Sequence, residues 1–313
     1  MCIRDRGICD TCLSEVMDPN SRWYNYPFTA CSICGPRFTI IYEVPYDRER
    51  TSMTFFEMCH WCSEEYYRLV ENRRFHTEGN CCKLCGPALF LVDKSGEILE
   101  VKNTIREAAK LLREGFILAI KGIGGFHIAT VTDNDDVILK LRRRKKRPYQ
   151  PFAIMSKDLQ QVYEYANPTP IEIEVLTSPR KPIVLIEKKQ PFPLSEYIAP
   201  NLHNVGVMLA YTALHYLLIR ETGQKALIMT SGNPHGHPIV KSNKEALKKL
   251  NGIADYFLLH NREIVNRCDD SIVRVNDNHT FLIRRSRGYA IDRLDIRSDF
   301  FEQEPKRNSL AVG

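Results

Sequence analysis

The sequence has 313 residues, 43% of them apolar and 26% charged, proportions of a globular chain long enough for two ordinary domains and not of a disordered one. Mean hydropathy is -0.31; no long apolar run that would cross a membrane occurs, and no apolar leader with a small-residue cleavage site is visible, so the chain reads as cytoplasmic. The net charge of +6 is unevenly spread, with -2 over residues 1–90 and +8 over residues 91–313, and the second region is therefore the one expected to meet phosphate or nucleic acid.

Cysteine is as uneven as charge: ten of the eleven lie in the first 85 residues, and only Cys268 lies beyond. After residues 1–8, expected to be an unstructured or remnant leader, come four C-x2-C pairs, Cys9/Cys12, Cys31/Cys34, Cys59/Cys62 and Cys82/Cys85. The second half nearly repeats the first, and Cys34-Gly35-Pro36 is echoed by Cys85-Gly86-Pro87. A C-x2-C turn brings two thiolates to one zinc, two facing turns complete a tetrahedral site, and glycine after the cysteine suits a knuckle that needs positive φ. Regular pairs attached to a large domain without a secretory signal disfavour a disulfide framework, and four repeated pairs exceed what a redox site needs. Two closed structural Zn2+ sites are expected over residues 9–87, serving folding and not catalysis. Spacing leaves open which pairs share an ion. Cys82 is preferred over the adjacent Cys81 because it keeps the C-x2-C spacing, while Cys2 and Cys268 read as bystanders.

A linker is expected over residues 88–101, followed by alternating helices and strands over 102–292. Thr104-x-x-Glu107 has the form of a capping box ahead of Ile105, Ala108, Ala109, Leu111 and Leu112, with Gly115 at the stop. A buried strand is predicted over 116–120, then the run Lys121-Gly122-Ile123-Gly124-Gly125-Phe126-His127. A helix is predicted over 133–141, running into six consecutive cations at 142–147 and Pro148. Strands follow at 152–155 and 183–186, then a helix capped by Thr212 and stopped at Gly223. A strand at 226–229 leads into Thr230-Ser231-Gly232-Asn233, Ser242-x-x-Glu245 caps a further helix, and strands at 256–259, 272–275 and 281–283 complete a mixed α/β sheet.

Three of these features can carry chemistry. Lys121 and the glycines after it sit at a strand's C-terminal edge, where α/β folds bind ligands, although neither a P-loop nor a dinucleotide fingerprint is present. The basic run is followed by Pro148 and Pro151, which preset the loop that holds Lys145 and Arg147 for phosphate. Ser231 and Asn233 place a hydroxyl and an amide two residues apart. His127 and His260 are candidates for polar contacts, and His235 and His237 follow the Ser-Gly-Asn turn.

These pieces together resemble the HypF family of hydrogenase maturation carbamoyltransferases. Residues 9–85 are similar to its paired fingers. The Lys121–His127 run, Arg147-Pro148-x-x-Pro151-Phe152-Ala153-Ile154-Met155, Thr230-Ser231-Gly232-Asn233, Arg267-Cys268-Asp269-Asp270-Ser271 and Arg285-Ser286-Arg287-Gly288-Tyr289-Ala290 are similar to its YrdC-like domain. The resemblance implies a twisted mixed sheet with flanking helices, and the K-x-R and S-x-N signature of such domains falls on Lys145, Arg147, Ser231 and Asn233. It implies activation of carbamate, derived from carbamoyl phosphate, with ATP and Mg2+ to a carbamoyl-adenylate, and transfer of the carbamoyl group to a C-terminal cysteine of the partner protein HypE. In that setting Lys145, Arg147, Ser231 and Asn233 are the expected catalytic set. Lys121, Gly124, Gly125, His127, Arg285 and Arg287 are the expected ATP and carbamate ligands. The family's acylphosphatase-like and transferase-like domains have no counterpart here, so the chain is expected to be an internal fragment, with residues 293–313 opening the next domain. Two rivals share the fold: a threonylcarbamoyl-AMP synthase for tRNA modification, and a double-stranded RNA-binding module.

Overall fold

The computed structural model of the chain describes residues 3–291; Cys2 and the expected start of a further domain at 293–313 lie outside the described residues. Among the described residues ten strands form one mixed sheet: β1 (Leu89–Val92), β2 (Leu118–Lys121), β3 (Phe126–Val131), β4 (Ile154–Ser156), β5 (Ile183–Glu187), β6 (Asn204–Leu209), β7 (Leu227–Ser231), β8 (Tyr256–His260), β9 (Ile272–Asn276) and β10 (His279–Arg284). Their order is β1-β8-β2-β3-β7-β4-β6-β5-β9-β10, with parallel pairing at β2/β8, β4/β6 and β5/β9 and antiparallel pairing elsewhere. The central strands are covered on both faces, which is why residues 117–120 read as one continuous apolar run and are wholly buried.

Side chains alternate between two core layers. Ile117, Ala119, Phe126, Ile128 and Phe257 face one layer. Leu118, Ile120, Met155, Leu227 and Leu258 face the other, beneath α3 (Thr104–Arg113) and α7 (Ala213–Thr222). The second layer also receives Ile8, Cys12 and Val16 from the cysteine-rich region, so the fingers are built into the core and are not an appended module. A separate cluster around Trp23, Tyr26, Phe28, Ile40 and Met53 holds the fingers together. Among the described residues no helix is long and apolar enough to cross a membrane.

The structure corrects several expectations. Residues 3–8 are not an unstructured leader: Gly7 N–H donates to Pro179 O and Ile8 N–H to Tyr211 O, at 2.7 and 2.9 Å. The carboxylate of Asp5 is buried, where it accepts from the backbone N–H groups of Arg37 and Thr39 and from the Thr39 hydroxyl. The expected linker contains β1, an edge strand whose apolar Leu91 and Val92 are buried against β8. The cysteine-rich region contributes α1 (Asp10–Met17) and α2 (His60–Tyr67), and the helix after them, α3, is capped by Asn103, whose side chain accepts from Arg106 N–H, with Thr104 as its first residue. The next helix, α4 (Asp135–Lys145), is capped by Asn134 and continues through most of the basic run. β3, β6, α5 (Leu159–Tyr165) and α6 (Pro170–Thr177) have no counterpart in the sequence reading. β3 directly follows the glycine run, and β6 is interrupted by Gly206, so neither offers the uniform apolar stretch that marks a buried strand.

Candidate functional site

The eight paired cysteines converge into two clusters, Cys9/Cys12/Cys31/Cys34 and Cys59/Cys62/Cys82/Cys85, so consecutive pairs share a site. Three sulfur–sulfur contacts in each measure 3.6 to 3.8 Å, and all four sulfurs of a cluster lie within 4.8 Å of one another. A tetrahedral zinc with four arms of 2.3 Å requires about 3.8 Å between sulfurs, so both donor sets fit that ion. Cys81 is turned out of the cluster: its sulfur meets the Tyr26 hydroxyl and Phe28 O at 3.6 Å, and burial pushes its thiol up to about 11. Gly35 has φ +95 as expected, whereas Gly86 is required for proximity, since a Cβ there would lie 2.1 Å from the Tyr26 hydroxyl.

The basic run is sorted by the fold into different tasks. Arg142 is buried, and its guanidinium donates to the carbonyls of Arg147, Pro148, Gln150, Tyr197 and Ile198, which fixes the loop after α4. Arg144 pairs with Asp255 at 2.9 Å. Lys146 ends the helix in the left-handed region at φ 52. Arg143 is exposed, which leaves Lys145 and Arg147 to face the strands. The Lys145 ammonium is 1% exposed and donates to Ser231 O at 2.7 Å, Asn233 O at 2.8 Å and Asn233 Oδ1 at 3.1 Å. Ser231 Oγ donates to the same Oδ1 at 2.7 Å, and Asn233 Nδ2 donates to His237 O at 2.6 Å. Burial, with Arg147 adding to it, brings the Lys145 pKa down to about 7.

Arg147, Thr230, Ser231, Asp269, Asp270 and Arg284 surround a cavity of about 120 Å³ whose floor includes Phe152, Ile183, Leu185, Gly206 and Met229. Arg147 reaches Thr230 Oγ1 at 3.3 Å, and Arg284 pairs with Asp269 at 2.8 Å. An apolar floor with guanidinium groups at its edge suits a planar ring bearing phosphates. Sequence reading placed the second pair of anion ligands at Arg285 and Arg287; the structure puts Arg284 on the cavity. Arg285 is half-buried and not among the cavity-lining residues. Arg287 is buried, with Nε donating to Asp270 Oδ1 at 2.8 Å and its other nitrogens to Arg180 O and Lys181 O.

His127 is also internal. It lies opposite Ser231 in the β3/β7 register, and its Nε2 is 2.8 Å from Asp270 Oδ2. Burial disfavours ionisation of Asp270, but Arg287 and His127 outweigh it and hold the carboxyl well below its usual range. Gly124 and Gly125 act through close packing: a Cβ on Gly124 would lie 2.1 Å from Cys268 O, and one on Gly125 would lie 2.7 Å from Ile239. Lys121 stands apart from the cavity of Arg147. It lines a second recess between finger and sheet with Phe28, Tyr211, His260 and Arg262, and donates to His260 O at 2.9 Å. Burial, reinforced by Arg262, lowers its pKa to about 8. His260 is buried and its Nε2 contacts Gly122 O at 3.1 Å, while His235 and His237 are exposed. Cys268 is buried against Ser286, and burial raises its thiol to about 11, consistent with an inert role.

Asp269, Asp270, Thr230 and Arg284 escaped the list of site residues read from sequence. Their signal was weak: the pair of acids stood inside a recognised segment, but only folding turns it toward Ser231.

The fold and site define a two-finger, four-cysteine module joined to a sheet domain of the YrdC type. The family profile described as "Telomere recombination" (Sua5/YciO/YrdC) matches residues 110–286, and the "HypF finger" profile matches residues 8–41 and 58–92. The probable carbamoyltransferase HypF of Methanocaldococcus jannaschii is 50% identical over 311 residues, covering 99% of this chain and 39% of that protein. The crystal structure of full-length HypF in the phosphate- and nucleotide-bound form superposes with a TM-score of 0.87 at 48% identity, over 92% of this chain and 37% of that one. The threonylcarbamoyl-AMP synthase of Bacillus subtilis is 26% identical over 166 residues, covering 52% of this chain and 48% of that protein. The chain belongs to the HypF family, through its finger pair and its Sua5/YciO/YrdC-type domain. It spans about two fifths of the length of the HypF proteins that it matches.

Proposed function

We propose that the chain carries out the ATP-dependent activation of carbamate in a carbamoyltransferase of nickel–iron hydrogenase maturation. The carbamate comes from carbamoyl phosphate and the carbamoyl group goes on to the C-terminal cysteine of a HypE-type partner. The observation that carries this reading is the meeting of Lys145 and Arg147 with Ser231 and Asn233, segments 86 residues apart, beside one cation-edged cavity. The carbamoyltransferase names of the relatives and the nucleotide-bound state of the solved relative support it.

In this reaction a carbamate oxygen attacks the α-phosphorus of ATP, the new O–P bond forms, and pyrophosphate leaves with the electrons of the bond that breaks. The protein's share is positioning and charge stabilisation. Arg147 and Arg284 take the phosphate charge, and the apolar floor takes the adenine. The three N–H donors of the Lys145 ammonium are matched by three acceptors, so Lys145 acts through the Ser231–Asn233 turn that it holds. Mg2+ would accompany the nucleotide as part of the substrate. Zn2+ would be held by the two cysteine clusters and would supply rigidity only.

Carbamate-dependent ATP–pyrophosphate exchange tests the proposal. Arg147→Ala should abolish exchange while the fold persists, and wild-type exchange in that variant would overturn the assignment. Exchange driven by threonine and bicarbonate, and not by carbamate or carbamoyl phosphate, would favour the synthase reading. Salt-dependent affinity for double-stranded RNA without exchange would favour the binding module.

A further inference from the structure

Each thiolate cluster is contacted by an arginine, and each arginine comes from the opposite half of the repeat. Arg73, which belongs to the segment between Cys62 and Cys82, donates to Cys12 Sγ at 3.3 Å and lies 3.7 and 3.9 Å from the sulfurs of Cys9 and Cys31. Arg22, between Cys12 and Cys31, donates to Cys62 Sγ at 3.4 Å. Each is then held by a carboxylate of the cluster it visits. Arg73 pairs with Glu15 at 3.0 Å, and Arg22 pairs with Glu65. The correspondence follows the sequence repeat: Arg22 and Arg73 each stand nine residues before the third cysteine of their own set, and Glu15 and Glu65 each stand three after the second. Trp23 locks the crossing, with the Arg22 guanidinium 4.0 Å and the Arg74 guanidinium 3.5 Å from its ring centre.

Four thiolates around a divalent ion carry a net charge of -2, which is costly in a half-buried site unless donors face the sulfurs. We infer that Arg22 and Arg73 are exchanged outer-shell partners, each half of the repeat supplying the cation that the other half's metal site needs, so that the two sites keep or lose their ions as a coupled pair. The repeat thereby acquires a reason to be double. A single half would carry its cysteines and its carboxylate but not the guanidinium that sits over them. When one cluster empties, its sulfurs are no longer held together beneath the visiting guanidinium, and the segment that carries that arginine is released from the shared face.

The experiment uses the whole chain loaded with two Zn2+, challenged with excess chelator and pulsed with a thiol-alkylating reagent, with mass spectrometry locating the labelled cysteines. Arg22→Ala should open Cys59, Cys62, Cys82 and Cys85 about 10-fold faster, and Arg73→Ala should do so for Cys9, Cys12, Cys31 and Cys34. Wild-type molecules should carry either no label or label on both sets, whereas the variants should pass through species labelled on one set. Opening of the variant's own set, or unchanged rates in both, would overturn the inference. Should either alanine variant fail to fold with two ions, the corresponding lysine substitution, which keeps charge but loses the fork, should open the opposite set by a smaller factor. No change there would equally overturn it.

Discussion

The two candidate sites of this molecule, the cysteine clusters and the cavity of the sheet domain, hold their charged groups differently. Around the cysteine clusters charge is matched by charge: arginines face the sulfurs, and carboxylates face those arginines. In the sheet domain buried cations meet backbone carbonyls, as Arg142 and Lys145 do, or a single acid, as Arg287 does. Arg147 and Arg284 of the same domain border a cavity, where an incoming anion can improve their environment. The comparison explains why one cysteine-rich and one cysteine-poor region share a chain without sharing chemistry. Fixed charge clusters stabilise, whereas cations with incompletely matched charge bind.

The largest way to break this contrast is to remove the metal. Structural zinc supplies roughly 10–16 kcal/mol to small modules, so Cys12→Ser should melt the first finger and loosen the Ile8/Val16 face of the sheet, read as lost zinc and a lowered Tm. Next comes Asp270→Ala, which strands Arg287 in the interior and should cost about 3–5 kcal/mol by denaturant titration. A smaller effect is expected from Arg147→Ala, a loss of about 1.5–3 kcal/mol in nucleotide binding with Tm unchanged, measured by calorimetry. A fourth test concerns pH. Lys145 has a folded pKa near 7, below the ordinary lysine value, so between pH 7 and that value the unfolded chain binds more protons and stability rises with pH. A phosphate close by favours the ammonium form, and nucleotide binding near pH 8 should therefore take up protons, seen as a dependence of the binding heat on buffer ionisation. Proton release would contradict it. The smallest effect belongs to Cys81→Ala: zinc content should stay at two, because its sulfur lies outside the second cluster.

Legibility of the sequence differed between the regions for the same physical reason. The C-x2-C pairs were readable because both ligands of a knuckle are local, so spacing alone states the geometry, and the choice of Cys82 over Cys81 matches the cluster. Element positions in the sheet domain were mostly readable from apolar runs and caps, as at Thr212 and Ser242. Asn103 and Asn134 show the limit. Each stands one residue or more from the expected helix start, and a single side-chain hydrogen bond decides the cap.

The site was less legible. Lys145, Arg147, Ser231 and Asn233 could be named from motifs, but six consecutive cations look alike in sequence, and nothing local separates Arg142, a loop organiser, from Arg147, a cavity wall. Nothing local shows either that Arg284, and not Arg285 or Arg287, lines the cavity, or that Lys121 lines a recess of its own.

By itself, then, the sequence determined the metal-ligand pairs and the mixed α/β class, since each rests on residue type and short spacing, and its family resemblance pointed to the segments that meet beside the cavity. Tertiary structure alone decided which pairs share an ion, which arginines serve which half, and which cation faces the cavity. Those outcomes depend on contacts between residues far apart in the chain, where burial and partner set the role of a charge that composition merely supplies.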